Sequence, residues 1–71
     1  MREVKTYNLQ NGFGIECITK INNYTQNKTY NIRVIMLNVE WHDVVIAYDG
    51  IKSPGEANSI FKNLYQKYSS I

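Results

Sequence analysis

The sequence predicts an α+β fold, a four-stranded antiparallel β-meander followed by one C-terminal helix packed on one sheet face (ββββα). Three observations predict it: four runs of β-like residues, an Asn11-Gly12 turn signal between the first two, and a helix start at Ser53. At 71 residues the chain is expected to form a single domain, residues 1–71. A chain of this length buries only about 60% of its unfolded surface on folding, so its stability margin is small.

The first two strands are expected over residues 3–10 and 13–21. Asn-Gly between two such runs is the strongest short hairpin signal, because both turn positions need a positive φ. If these two residues form the whole loop, Gln10 pairs with Phe13. This register determines which face of the sheet each side chain of the two strands lies on. One face then holds Val4, Thr6, Phe13, Ile15, Cys17 and Ile21, and the other holds Lys5, Tyr7, Leu9, Glu16, Ile18 and Lys20.

Two further strands are predicted over residues 29–37 and 41–49. In the third strand, Ile32 and its even-numbered neighbours alternate with Ile35 and Leu37. The fourth strand is apolar on both faces, so its facing stays open. Asp49-Gly50 is expected to end it.

The helix is predicted from its start signal and its apolar stripe. Ser53 is the expected N-cap, Pro54 suits the first helical position, and Glu56 completes a capping box. Apolar residues then recur at helical spacing and make one stripe, consisting of Ala57, Ile60, Phe61, Leu64, Tyr65 and Tyr68. The first face of the sheet supplies the apolar surface that this stripe needs.

Composition favours a protein without catalytic or metal chemistry. Cys17 is the only cysteine and His42 the only histidine, which excludes an internal disulfide and disfavours a metal site. We interpret Glu40, His42 and Asp43 as a turn, and Cys17 as a free thiol on the core face. The sequence shows no nucleophile–base pair. We therefore expect a non-enzyme without a cofactor, located in the cytoplasm and not in a membrane.

One helix covers one face of such a sheet, yet the second face is not cleanly polar. Contiguous apolar surface there suggests an interaction site. The candidates are Tyr7, Leu9, Ile18, Ile35 and Leu37, with Trp41 at a strand edge as a further anchor. Three interpretations compete: local cover by loops, self-association, and a nucleic-acid platform.

The nucleic-acid alternative would use the same sheet face. Tyr7 would stack on bases, and Lys5, Lys20 and Arg33 would contact phosphates. A net charge of +2 permits this function without arguing for it. The leading hypothesis is a small non-enzymatic interaction protein of accessory or inhibitor type, acting as a homodimer through this face.

The stretch from Asp49 to Ala57, DGIKSPGEA, looks like the sheet-to-helix junction of arm-type DNA-binding domains in tyrosine integrases of Gram-positive mobile elements. That resemblance implies a sheet that lies in the DNA major groove with a helix packed behind it. The basic strand residues of such domains are sparse in this chain. A composition rich in Asn, Lys, Ile and Tyr also suggests an AT-rich bacterial or phage genome, and such a protein could be encoded by a phage or mobile element.

Overall fold

The computed structural model describes residues 2–37 and 42–70. The strands are β1 (Arg2–Asn8), β2 (Phe13–Ile21), β3 (Lys28–Leu37) and β4 (His42–Ile51), and the helix is α1 (Pro54–Ser69). The strands form one antiparallel sheet in the order β1-β2-β3-β4. The predicted ββββα architecture is confirmed.

The turn between β1 and β2 differs from the predicted one. The Leu9 N–H donates to the Phe13 carbonyl at 2.8 Å, which leaves Gln10, Asn11 and Gly12 as a three-residue loop. Gly12 has φ 90°, whereas Asn11 keeps a negative φ. This is the pattern of a turn closed by a glycine bulge, in which one residue and not two adopts the left-handed conformation. The predicted two-residue loop was therefore wrong.

The longer loop shifts the register of β1 by one residue. Tyr7 pairs with Ile15 and Asn8 pairs with Gly14, where the two-residue loop would have paired Asn8 with Ile15. Because side chains alternate along a strand, a slip of one residue moves every β1 side chain to the opposite face relative to β2. The predicted facing of β1 was wrong, and Tyr7 now faces the helix.

Two irregularities in β4 settle its facing. Ile46 pairs with Val34 on the helix side, but the register shifts before the next pair, so Val44 meets Ile35 on the other side of the sheet. A second shift near Gly50, which has φ 74°, lets the strand continue to Ile51. The strand therefore runs past the predicted stop at Asp49-Gly50, because the glycine forms a bulge there instead of a turn.

Helix α1 begins as the sequence predicts and covers one side of the sheet. Ser53 is the N-cap in extended conformation, and its Oγ accepts a hydrogen bond from the Glu56 N–H at 3.3 Å. The helix and sheet share one apolar core, made of Ile15, Ile32, Val34, Ile51, Ala57, Leu64 and Tyr68. Aromatic contacts extend it, with ring centroids 4.9 Å apart for Tyr7 and Phe61 and 5.2 Å apart for Phe13 and Tyr68.

Replacing Leu64 by Ala should lower the free energy of unfolding by about 2–5 kcal/mol, because Leu64 is buried between α1 and the sheet. Urea unfolding followed by circular dichroism measures the change. The matched control is Asn63→Ala, an exposed helix position beside it that should change stability by about 0.5 kcal/mol or less. Equal losses in both variants would contradict a core centred on the helix.

Candidate functional site

Helix α1 packs on one side of the sheet, and we call the opposite side the helix-free face. Its side chains follow from the strand register and fall into rows across the sheet. From one end to the other the rows are Arg2, Lys20 and Thr29; Val4, Ile18 and Asn31; Thr6, Glu16, Arg33 and Ala47; and Asn8, Gly14, Ile35 and Val44, with Leu37 beyond them.

The end of this face nearest the β1–β2 turn carries an apolar patch, which we define as Ile35, Leu37 and Val44. Ile35 and Leu37 lie over Gly14. A methyl group on Gly14 would lie 3.3 Å from Ile35 Cγ1 and 3.5 Å from Leu37 Cδ2. The missing side chain of Gly14 therefore gives Ile35 room to fold down onto β2, and Ile35 is buried although no helix covers it. Val44, opposite Ile35, remains 56% exposed.

A row of charges crosses the middle of the helix-free face. Arg33 lies between two carboxylates, with Nη1 4.0 Å from Glu16 Oε1 and Nε 3.8 Å from Asp49 Oδ1. These groups are partly exposed, so each ion pair contributes about 0–1 kcal/mol. The more important effect is that the two carboxylates offset the positive charge of Arg33 on this face.

The sequence-predicted interface residues are divided between the two sides of the sheet. Ile18, Ile35 and Leu37 lie on the helix-free face as expected. Tyr7 and Leu9 do not, because the register slip turns them towards the helix, where Tyr7 meets Phe61 and Leu9 packs on the core. Trp41 falls outside the described residues, as does Glu40 of the predicted turn.

Sequence reasoning missed the two most exposed apolar residues of this face. Ile18 and Ile35 are 2% and 3% exposed, so they contribute little contact area. The accessible apolar surface comes from Val4, which is 49% exposed, and from Val44. Val4 was assigned to the core face by the wrong β1 register, and the bulge in β4 hid the facing of Val44.

The proposed nucleic-acid residues are not brought together. Lys5 and Tyr7 lie on the helix side of the sheet, whereas Lys20 and Arg33 lie on the helix-free face. Arg33 is also held by two carboxylates. The four side chains therefore do not form one basic and aromatic platform.

Cys17 lies on the helix side, half-buried against the core, as the facing of β2 predicted. Burial raises the pKa of the thiol, the charge of Glu16 raises it further, and Lys5 partly opposes both. A thiol with a raised pKa is a weak nucleophile, since only the thiolate attacks. Across residues 2–37 and 42–70, no three His, Cys, Asp or Glu side chains cluster to hold a metal ion.

Comparison with protein-family models, with curated proteins and with solved structures finds no match to this chain. Within the described ranges, the helix is too short or too polar to cross a membrane.

Replacing Gly14 by Val should destabilise the domain by about 1–3 kcal/mol, because the new side chain would occupy the space that Ile35 and Leu37 fill. Thermal and urea unfolding measure the change. Gly55→Ala is the control, since only Ser53 Oγ lies near that position and alanine favours a helix. A Gly14→Val variant as stable as the parent would contradict the packing described for the apolar patch.

Alkylation of Cys17 by iodoacetamide should be slower than that of an unfolded cysteine peptide at neutral pH, because the raised pKa leaves less thiolate. The rate should rise towards the peptide value only at more alkaline pH. Lys5→Gln should shift the rate–pH profile to still higher pH, because the charge of Lys5 lowers the pKa of the thiol. Lys62→Gln on the helix should leave the profile unchanged. Mass spectrometry measures the labelling, and a profile that follows the peptide would contradict this environment.

Proposed function

We propose that the protein is a small non-enzymatic interaction protein that associates with a second copy of itself through the helix-free face. The observation that carries this proposal is the apolar patch, where Val44 is 56% exposed beside Ile35 and Leu37 on a sheet face that no second layer covers within residues 2–37 and 42–70. Contiguous apolar surface of this kind marks interaction sites. A small chain also gains core by dimerising, because its own core is limited by its size.

The edges of the sheet are poorer sites for association than the face. On β1, Arg2, Glu3 and Lys5 place charges along the free edge. On β4, two bulges interrupt the edge, and Asp43 and Asp49 flank its apolar centre. Antiparallel pairing of two β4 strands about their middle would oppose these two aspartates. Charges and bulges are the means by which proteins block edge-to-edge pairing.

The distribution of charge favours one arrangement of two copies. The apolar patch lies at one end of the helix-free face, the Arg33 row crosses the middle, and Arg2 and Lys20 lie at the far end. Consider a two-fold axis that passes through the patch, parallel to the plane of the sheet and perpendicular to its strands. It would stack the patches of two copies face to face, with the strands of the copies running in opposite directions. The charged rows would then extend in opposite directions and remain in water. Such an isologous contact uses the same surface on both copies.

Val44→Lys should convert the dimer to a monomer, because it would bury two charges where the apolar patches meet. Light scattering over a concentration series measures the mass of parent and variant. The matched control is Tyr24→Lys, which adds the same charge at a fully exposed loop position and should leave the mass unchanged.

Circular dichroism of both variants checks that the fold is intact, since Val44 and Tyr24 are exposed and outside the core. A parent chain that stays monomeric up to millimolar concentration would overturn the proposal. So would a folded Val44→Lys variant that dimerises as strongly as the parent.

A further inference from the structure

A second candidate surface lies at the opposite end of the sheet from the apolar patch. It is a concavity of about 510 Å³ between the β2–β3 loop and the segment that precedes α1. Its lining consists of two lysines, two asparagines and two threonines: Lys28, Lys52, Asn22, Asn27, Thr25 and Thr29. None of these described lining residues carries a carboxylate, so the side chains around the concavity suit an anion.

Strand pairing is what brings the two lysines to one place. Lys28 opens β3, and Lys52 directly follows Ile51, which ends β4 opposite Tyr30. The start of β3 and the end of β4 therefore lie side by side at this end of the sheet. Both ion pairs found in residues 2–37 and 42–70 belong to Arg33, so neither lysine has a carboxylate within salt-bridge distance there.

Half of the basic residues of the chain lie at the end of the sheet that holds this concavity. Arg2 on β1 lies opposite Lys20 on β2 in the strand register, at the same end of the sheet, and Lys20 lies opposite Thr29 on β3. With Lys28 and Lys52 they are four of the eight basic residues in the chain. The acidic residues of the neighbouring segments are fewer, namely Glu3 on β1, Glu56 in the first turn of α1 and Asp49 on β4, which is paired with Arg33. A surplus of positive charge remains, which attracts anions.

The same loop holds an aromatic ring in water. Tyr24 is 98% exposed, the most exposed large apolar side chain of those described. The loop around it is ordered by its own hydrogen bonds, since Asn22 Oδ1 accepts from the N–H groups of Tyr24 and Thr25 at 2.9 and 3.2 Å. The Asn22 carbonyl accepts from the Gln26 N–H at 2.8 Å, and the Asn22 N–H donates to Asn27. Tyr24 therefore projects from a fixed loop whose neighbouring residues line the concavity.

We propose that this concavity binds the backbone phosphate of a single-stranded nucleic acid while Tyr24 stacks on an adjacent base. Lysines supply the charge for a phosphate, and asparagine amides and threonine hydroxyls supply further donors. Proteins that hold single strands combine these two elements, a cationic groove for the backbone and an aromatic ring for the bases. This site is separate from the helix-free apolar patch, and its residues differ from those that the sequence suggested for nucleic-acid binding.

The test is fluorescence anisotropy of a labelled single-stranded oligonucleotide titrated with the full chain at low salt. The double variant Lys28→Gln with Lys52→Gln should weaken binding at least tenfold. It should also reduce the slope of log affinity against log salt by about 0.7 for each lost phosphate contact. The double variant Lys62→Gln with Lys67→Gln removes the same charge from the helix and should change affinity less than threefold.

Tyr24→Ser separates base stacking from general attraction to anions. It should weaken binding of the oligonucleotide by about fivefold to a hundredfold, because one stacked base is lost. It should leave binding of heparin, a polyanion without bases, unchanged.

Four results would overturn the proposal. They are no anisotropy change at low salt, equal losses in the concavity and helix double variants, duplex binding as strong as single-strand binding, and a Tyr24→Ser variant with full affinity.

Discussion

Leu64 and Tyr68 of α1 pack on Ile15, Ile32 and Val34 at the centre of the sheet, and this contact fixes where every other surface lies. One helix of 16 residues can close one side of four strands and no more. On the opposite side, no second layer covers the apolar residues within residues 2–37 and 42–70. Ile35 is buried there by folding over Gly14. What remains exposed there is a consequence of the single covering helix.

The parts of the fold that could be predicted are those decided by neighbouring residues. The helix start depends on Ser53, Pro54 and Glu56, which act within one turn, and the observed Ser53 bond to the Glu56 N–H confirms it. The strands follow from alternation within each run, and their bounds agree with the prediction to within about two residues. Local chemistry was sufficient for these elements.

The facings of β1 and β4 could not be predicted, because each depends on one extra residue in a turn or a bulge, which the alternation within a strand does not locate. Asn11-Gly12 fits a two-residue loop and also the observed three-residue loop, in which only Gly12 is left-handed. The choice of loop decides which side of the sheet each β1 residue faces: the observed loop places Tyr7 on the helix side and Val4 on the helix-free face, the reverse of the prediction. In β4, the register shift next to Ile35 does the same for Val44. The concavity was hidden for another reason, since Lys28 and Lys52 are distant in sequence and meet only through strand pairing.

The two proposed surfaces are compatible because the sheet separates them along its strands. The apolar patch lies by the β1–β2 turn, and Lys28 and Lys52 lie by the β2–β3 loop at the other end. Two copies stacked patch on patch with reversed strands would hold their lysine-lined concavities far apart, which avoids repulsion between like charges. The Arg33 row lies between the two regions, and its one positive charge faces two carboxylates. In the proposed arrangement, charge and not shape alone therefore decides which end of this small sheet meets a second copy and which end stays outside the contact.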